Sequence, residues 1–408
     1  MTHWRIKLSL FLNYFVFAML LNSVGIVILQ VQGHYGVSAS AAGVLEAFKD
    51  LSIAAVSFLL ASFVTRIGYK KSMLVALGLV TLVCLLMPAV PNFAMSKLMF
   101  AVTGASFALI KMSVYATIGL VTTGRREHAS FMSFIESFFM VGIFTGYFVF
   151  SAFVDDAQPQ SAGWLDVYYV LAAIAAAAFV LLWCTRLDES AVKPAPQQSL
   201  AQDVREMLRL AVVPLVLLFV ASAFFYVLIE QSIMSWLPTF NSQVLNLPQT
   251  LSIQMAGILA LSTALGRFLA GIVLRRVHWY WVLMGCLAGA AGLVLLALPL
   301  AQGIPPGSVT GWGNAPLAAF AFPLIGLFLA PIYPAINSVI LSTLPARQHA
   351  VMAGLIVIFS ALGGTAGSII TGNLFELYGG QTAFYSSLLP IGVLMVLLFL
   401  FNRKTASP

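Results

Sequence analysis

The sequence predicts an all-α membrane protein: twelve transmembrane helices in two six-helix halves related by pseudo-twofold symmetry. Three observations carry this reading. Hydrophobic residues make up 61% of the 408-residue chain and charged residues only 8%, against about 25% charged in a soluble domain. A chain folded in water needs a polar exterior, and this one has too few polar side chains to build it. Apolar stretches long enough to cross a bilayer, about 20 residues each, recur from one end to the other. A polar, proline-bearing segment at 187–209 separates two strongly apolar parts.

The spans are read at 9–33, 40–65, 73–92, 95–122, 129–153, 164–186, 210–238, 247–274, 277–300, 313–341, 347–373 and 380–402. Backbone groups in lipid must satisfy one another, so these stretches are helices. Pro88, Pro91 and Asn92 mark the turn between the third and fourth. The run Leu8–Leu29 follows His3, Arg5 and Lys7 but is longer than a signal-peptide core. No small-residue cleavage site comes after it, so it is expected to remain as the first span. The predicted domains are a six-helix bundle at 1–186, a linker at 187–209 and a second six-helix bundle at 210–408.

Charge placement orients the chain. Sixteen Lys and Arg residues, Arg66, Lys70, Lys71, Arg275 and Arg276 among them, fall in loops on one side of this topology, and only Lys97 on the other. Basic loops stay inside, which predicts a multi-pass inner-membrane protein with both termini and the linker cytoplasmic. The net charge of +7 therefore speaks of orientation in a lipid bilayer, not of nucleic acid. Cys84, Cys184 and Cys286 lie within spans and have no metal-ligand spacing. The five histidines lie at or near span ends, and no Walker loop or His-Glu-x-x-His is present. No metal, cofactor or enzymatic constellation is expected.

The two halves carry traces of a repeat. Aligning His128 with His349 also aligns Gly142 with Gly363 and Gly146 with Gly367, and Ala42-Gly43-Val44-Leu45 matches Ala256-Gly257-Ile258-Leu259. Between spans 2 and 3 the chain reads Arg66-Ile67-Gly68-Tyr69-Lys70-Lys71, and at the matching place in the second half Gly271-Ile272-Val273-Leu274-Arg275-Arg276. This pattern resembles the loop signature of the major facilitator superfamily, with Thr65 where Asp is usual and Ala61 where Gly is usual. Within that superfamily, Ile135-Glu136-Ser137-Phe138, Phe225-Tyr226-Val227-Leu228-Ile229-Glu230 and Gly266-Arg267-Phe268-Leu269-Ala270-Gly271 resemble the fucose–galactose–glucose:proton symporter branch. The resemblance implies a monomeric secondary transporter whose partners are a small-molecule substrate and protons. Parallel repeats of this kind hold their substrate near the membrane midplane and rock about it.

Seven charged residues lie in spans away from their ends: Glu46, Lys49, Asp50, Lys111, Glu136, Glu230 and Arg267. Each costs about 2.5–3.5 kcal/mol at a bilayer centre, so they must pair, neutralise or face water. Glu46, Lys49 and Asp50 share one helix face by their i, i+3, i+4 spacing. Glu136 and Glu230, which the resemblance supports, are the first candidates for proton coupling, with Glu46 and Asp50 next. A carboxylate drawn away from water holds a proton more tightly, which is what coupling requires. Lys49, Arg66, Lys70, Lys71, Arg267, Arg275 and Arg276 are read as structural or conformational charges. Candidate substrate-binding residues are Lys111, Asn22, Tyr115, Phe138, Tyr226, Trp236, Tyr333 and Asn337. Their aromatic faces stack on rings, and their polar groups fix orientation. The branch often has a Glu in span 4 where Lys111 stands, and a carboxylate in span 1 is replaced by the Asn22-Ser23 region. Lys111 then either recognises a negatively charged substrate or neutralises Glu136 or Asp50 internally. The function expected is proton-coupled symport of a sugar or related polar organic solute, with proton-driven export as the alternative and a membrane-embedded transferase as a more distant one.

The topology is testable as it stands. Reporter fusions or cysteine labelling are expected to find both termini and residues 187–209 on the cytoplasmic side, and an external linker would reverse every assignment of sides.

Overall fold

A computed structural model of the protein describes residues 3–121, 125–187, 189, 200–344 and 348–406. Residues 188 and 190–199 of the expected linker, the basic position Arg347 and the side chain of Arg66 lie outside the described residues. Among the described residues every regular element is a helix. In order they are α1 (His3–Leu21), α2 (Val24–Tyr35), α3 (Ala39–Ala42), α4 (Val44–Ile67), α5 (Tyr69–Ala89), α6 (Phe93–Val121), α7 (Arg125–Ser151), α8 (Val167–Trp183) and α9 (Leu200–Ala211). There follow α10 (Pro214–Met234), α11 (Leu237–Gln243), α12 (Gln249–Val273), α13 (Trp279–Ala297), α14 (Leu317–Ala321), α15 (Ile325–Leu329), α16 (Ile332–Thr343), α17 (His349–Tyr385) and α18 (Leu388–Ala406).

Among the described residues, ten stretches are long and apolar enough to cross a membrane, from Trp4–Leu21 to Val351–Tyr385. The chain is a multi-pass membrane protein. Two further long helices, α4 and α18, stand where the second and twelfth spans are read.

The expected spans are less continuous than a hydropathy reading implies. The first breaks between α1 and α2, where the Asn22 amide donates to the Ala18 carbonyl at 2.9 Å and the Ser23 hydroxyl to the Leu20 carbonyl at 2.8 Å. These side chains take up carbonyls that a helix loses where it is interrupted. The seventh divides into α10 and α11 around Trp236, with Pro238 in the first turn of α11. The tenth is assembled from α14, a 3-10 turn, α15 and α16, with Pro323 and Pro331 at the joints. The end of the predicted linker is the helix α9. Gly379 interrupts α17 with φ +79°, a conformation open to glycine at little cost, and so ends the eleventh span.

The helices gather into two compact units. One comprises Met1–Val24 and Phe48–Gln198, the other Gly25–Ala47 and Ser199–Pro408. In the first, α1 packs along α7, α8 and α6, and α5 packs between α6 and α8. A Cβ on Gly142 would lie 2.8 Å from the Ala18 Cβ and 2.9 Å from the Phe15 carbonyl oxygen, and one on Gly146 would lie 3.3 Å from the Met19 backbone. In the second unit α10 packs along α17 and α18. There Gly363 meets the Phe224 backbone and Gly367 the Leu228 backbone. Small residues at four-residue spacing let helix backbones touch in an environment where hydrophobic collapse does not drive association. The glycines aligned in the sequence thus do the same work in both units.

Gly367→Ala places a methyl against the Leu228 backbone and is expected to lower stability by about 1–3 kcal/mol, read as a lower unfolding midpoint of the purified protein in detergent. Gly285 has nothing within 4 Å of its would-be Cβ, so Gly285→Ala should leave the midpoint unchanged or raise it. Equal midpoints for the two variants would show that the close contact contributes nothing.

Candidate functional site

In the first unit a polar group is built on three helices. Phe107, Lys111 and Tyr115 recur every four residues and share one face of α6. Tyr115 donates its hydroxyl to Glu136 Oε1 on α7 at 2.6 Å. Tyr14 of α1 closes the group: its ring centroid lies 6.3 Å from those of Phe107 and Tyr115 and 5.6 Å from Phe139. Tyr14 is only 1% exposed. Its hydroxyl approaches Tyr115 but forms no hydrogen bond in proper geometry among the described residues. Lys111 lies with its ammonium 6.0 Å from the Phe107 ring centroid and within electrostatic reach of Glu136. Protein surrounds it, yet its side chain is exposed, as a group on the wall of a cleft would be.

The second unit carries a comparable arrangement on α10, α12 and α16. Tyr226 donates to Glu230 Oε1 at 2.7 Å, one turn along the same helix. The buried Tyr226 ring stacks on Tyr333, with centroids 5.5 Å apart and planes at 24°. The Tyr333 hydroxyl shares a 2.9 Å hydrogen bond with Ser360 and lies beside Asn337, whose Oδ1 has no hydrogen-bond partner among the described residues. Arg267 is exposed and within electrostatic reach of Tyr226. Its neighbour Gly266 holds α12 against the Leu327 backbone.

The other expected site residues are placed elsewhere. Lys49 Nζ and Asp50 Oδ1 lie 3.5 Å apart, both nearly buried, in the first unit. Glu46 is fully buried in the second unit, where Ser235 donates to it at 2.9 Å. Trp236 is also fully buried; it stacks on Phe375 and donates to the Ser368 carbonyl. Phe138 is exposed, with its ring 4.8 Å from Phe11. The Asn22 amide nitrogen is engaged at the helix break described above. Arg275 and Arg276 are exposed just beyond α12.

Comparison with known proteins interprets this geometry. Residues 10–313 match the family model of the Major Facilitator Superfamily. The chain belongs to that superfamily. No curated protein sequence matches it. Among solved structures it shares its fold with the nucleoside transporter NupG, in a mutant form (TM-score 0.77, 16% identity, 97% of this chain and 99% of that one). It also shares it with a bacterial homologue of the human lysosomal transporter Spinster (TM-score 0.79, 13% identity, 98% and 97%). A third likeness is to the E. coli fucose:proton symporter FucP (TM-score 0.63, 15% identity, all of both chains). At these identities the likeness concerns the fold.

The superfamily loop between spans 2 and 3 supplies a residue that the sequence left unnoticed. Glu189, from beyond α8, accepts a hydrogen bond from the Lys70 backbone N–H at 2.7 Å and so caps the first turn of α5. Its carboxylate also fills the space where a Cβ on Gly68 would stand, and Gly68 has φ +94°. Lys70 in turn donates to the Thr185 and Trp183 carbonyls at 2.6 and 3.0 Å, at the C-terminal end of α8. An anion at a helix N-terminus and a cation at a C-terminus are both favoured by the helix dipole. With Thr65 in the usual acidic position of the signature, the acid in this loop arrives from more than a hundred residues downstream. Tyr14 and Phe107 were likewise missed. They read as ordinary core aromatics, and only a helix-face comparison of α6 with α1 could have joined them to Lys111.

Tyr226→Phe keeps the ring stacked on Tyr333 but removes the hydroxyl that meets Glu230. Leaving a partly buried carboxylate short of a donor costs about 1–3 kcal/mol, so the unfolding midpoint should fall. Tyr378→Phe, at an exposed ring, is the control and should not move it.

Proposed function

We propose that this protein is a secondary active transporter that moves a sugar or related polar organic solute by alternating access, coupled to proton symport. Transport rather than catalysis is the reading, and the twelve-span, two-half arrangement with a cytoplasmic linker is the frame in which it operates. The observation that supports it best is the tyrosine–glutamate pair in each unit, with a cation within electrostatic reach: Tyr115–Glu136 with Lys111, and Tyr226–Glu230 with Arg267. The matched glycine contacts of α1 with α7 and of α10 with α17 support two equivalent halves.

The chemistry follows from what a carboxylate can do. Ionised, Glu136 only accepts hydrogen bonds, and Tyr115 supplies one. Protonated, it gains a donor of its own and keeps an acceptor, and the hydrogen bond from the tyrosine on α6 loses its charge assistance. A proton on Glu136 therefore changes how two helices are tied together. In the second unit a proton on Glu230 alters its hydrogen bond with Tyr226 within α10. The fucose:proton symporter among the structural relatives is in keeping with proton coupling.

Glu136→Gln and Glu230→Gln keep an acceptor at each place but cannot exchange a proton. In proteoliposomes each is expected to abolish proton-gradient-driven accumulation while downhill exchange persists. Full proton dependence in both variants would remove them from the coupling role and pass it to Glu46 and Asp50. Uptake that appears only with the gradient reversed would identify the protein as an exporter.

A further inference from the structure

The charges around Tyr14 determine what kind of solute the first unit can hold, an inference that rests on the transport reading above. Lys111 has two possible employments, an internal ion pair or a ligand. The internal pair is not made. Among the described residues Lys111 forms neither a hydrogen bond nor an ion pair, and its near neighbours are the Phe107 ring and, at longer range, Glu136. Glu136 directs one oxygen to Tyr115 instead. Asp50 is the partner of Lys49.

Two donors therefore remain uncommitted on this wall: the Lys111 ammonium, with three N–H groups and no acceptor, and the Tyr14 hydroxyl, on a ring that is 1% exposed and without a hydrogen-bond partner among the described residues. A buried hydroxyl left without a partner costs about 1–3 kcal/mol, and a cation in a membrane protein requires a partner or water. Both needs are met by one ligand group rich in acceptors. Phe107 and Phe139, with centroids 5.9 Å apart, flank the donors and offer apolar faces to the body of the same ligand.

We propose that this wall binds a ring-bearing organic monocarboxylate, its carboxylate on Lys111 and Tyr14 and its ring against Phe107 and Phe139. One compact lysine matches one negative charge. A phosphate ester at neutral pH carries nearly two and would call for a second cation or a planar arginine, which this wall does not have among the described residues.

A second consequence follows from the charge count. Lys111 and Glu136 together are neutral, so an arriving carboxylate leaves the cluster with a net charge of about −1, an unfavourable state away from bulk water. A proton on Glu136 restores neutrality. The groups that face Glu136 from the helices packed on α7 are Tyr14 on α1 and Lys111 and Tyr115 on α6; Lys7, also on α1, lies over Phe131 nearer the start of α7. Carboxylate and proton thus enter together, and the transport step moves no net charge.

The test uses the purified full-length protein and two matched pairs of probes: D-glucuronate against D-glucose, and benzoate against benzyl alcohol. Thermal stabilisation is expected from the acids and not from the neutral members. Lys111→Gln should weaken apparent acid affinity by about tenfold to a hundredfold, the range for losing one charge-assisted hydrogen bond. Lys111→Arg should retain part of it. Tyr14→Phe should weaken it several-fold while the Tyr115–Glu136 bond survives, and it provides a readout if Lys111→Gln fails to fold. In proteoliposomes, acid uptake should follow a pH gradient at zero membrane potential and ignore an imposed potential. Neutral probes stabilising as well as acids, no stabilisation by either acid, wild-type acid affinity in Lys111→Gln, or uptake driven by potential alone would each overturn the proposal. Accumulation of the neutral sugar without acid binding would sink this inference and leave transport standing. Acid binding with no flux under any gradient would instead sink the transport reading.

Discussion

A membrane interior offers a charged or polar side chain almost nothing to bond with, so each one that a spanning helix carries must be met by protein or by water. The polar architecture of this chain follows from that constraint. Glu136 and Glu230 receive tyrosine hydroxyls, Lys49 meets Asp50, and Glu46 receives Ser235. Where a helix is interrupted, Asn22 and Ser23 turn back onto the carbonyls of their own chain. Among the described residues, Lys111 and Tyr14 are two groups on the first unit's wall for which neither a hydrogen bond nor an ion pair is formed.

The same constraint shapes the packing. Helices in lipid gain little from hiding apolar surface, so they associate where their backbones fit closely. Gly142 and Gly146 on α7 and Gly363 and Gly367 on α17 provide that fit against α1 and α10. The close contacts hold Glu136 on α7 beside α1, which is what brings Tyr14 to it. Tight glycine seams thus position the polar cluster, whose own hydrogen bond, from Tyr115 to Glu136, ties α7 to α6 instead. The loop at Gly68 shows the same economy at a helix end: Glu189 and Lys70 satisfy the termini of α5 and α8, which otherwise carry unpaired backbone groups.

Much of this was legible in the sequence. Composition and the recurrence of long apolar stretches determined the membrane class. The placement of Lys and Arg oriented the reading, and the loop signature led to the superfamily that the family match then established. The glycines of the two halves could be paired by alignment alone, because a backbone contact in lipid leaves only the smallest residue possible. Glu136, Glu230, Tyr115, Tyr226 and Lys111 were identifiable as candidates, since a charge or hydroxyl inside a span is costly enough to demand a reason.

What the sequence could not decide is which of these groups meet. Partners such as Tyr115 and Glu136, or Glu46 and Ser235, sit on different helices, and their pairing depends on rotations and offsets set by packing. Spacing put Glu46, Lys49 and Asp50 on one helix face, but the fold assigns Glu46 to one compact unit and Lys49 and Asp50 to the other. Tyr14 carries no local mark that separates it from any core aromatic, and Glu189 lies far along the chain from the loop it caps. Hydropathy is a property of stretches and survives any rotation of a helix; a hydrogen bond between helices does not, so only the tertiary structure could place it.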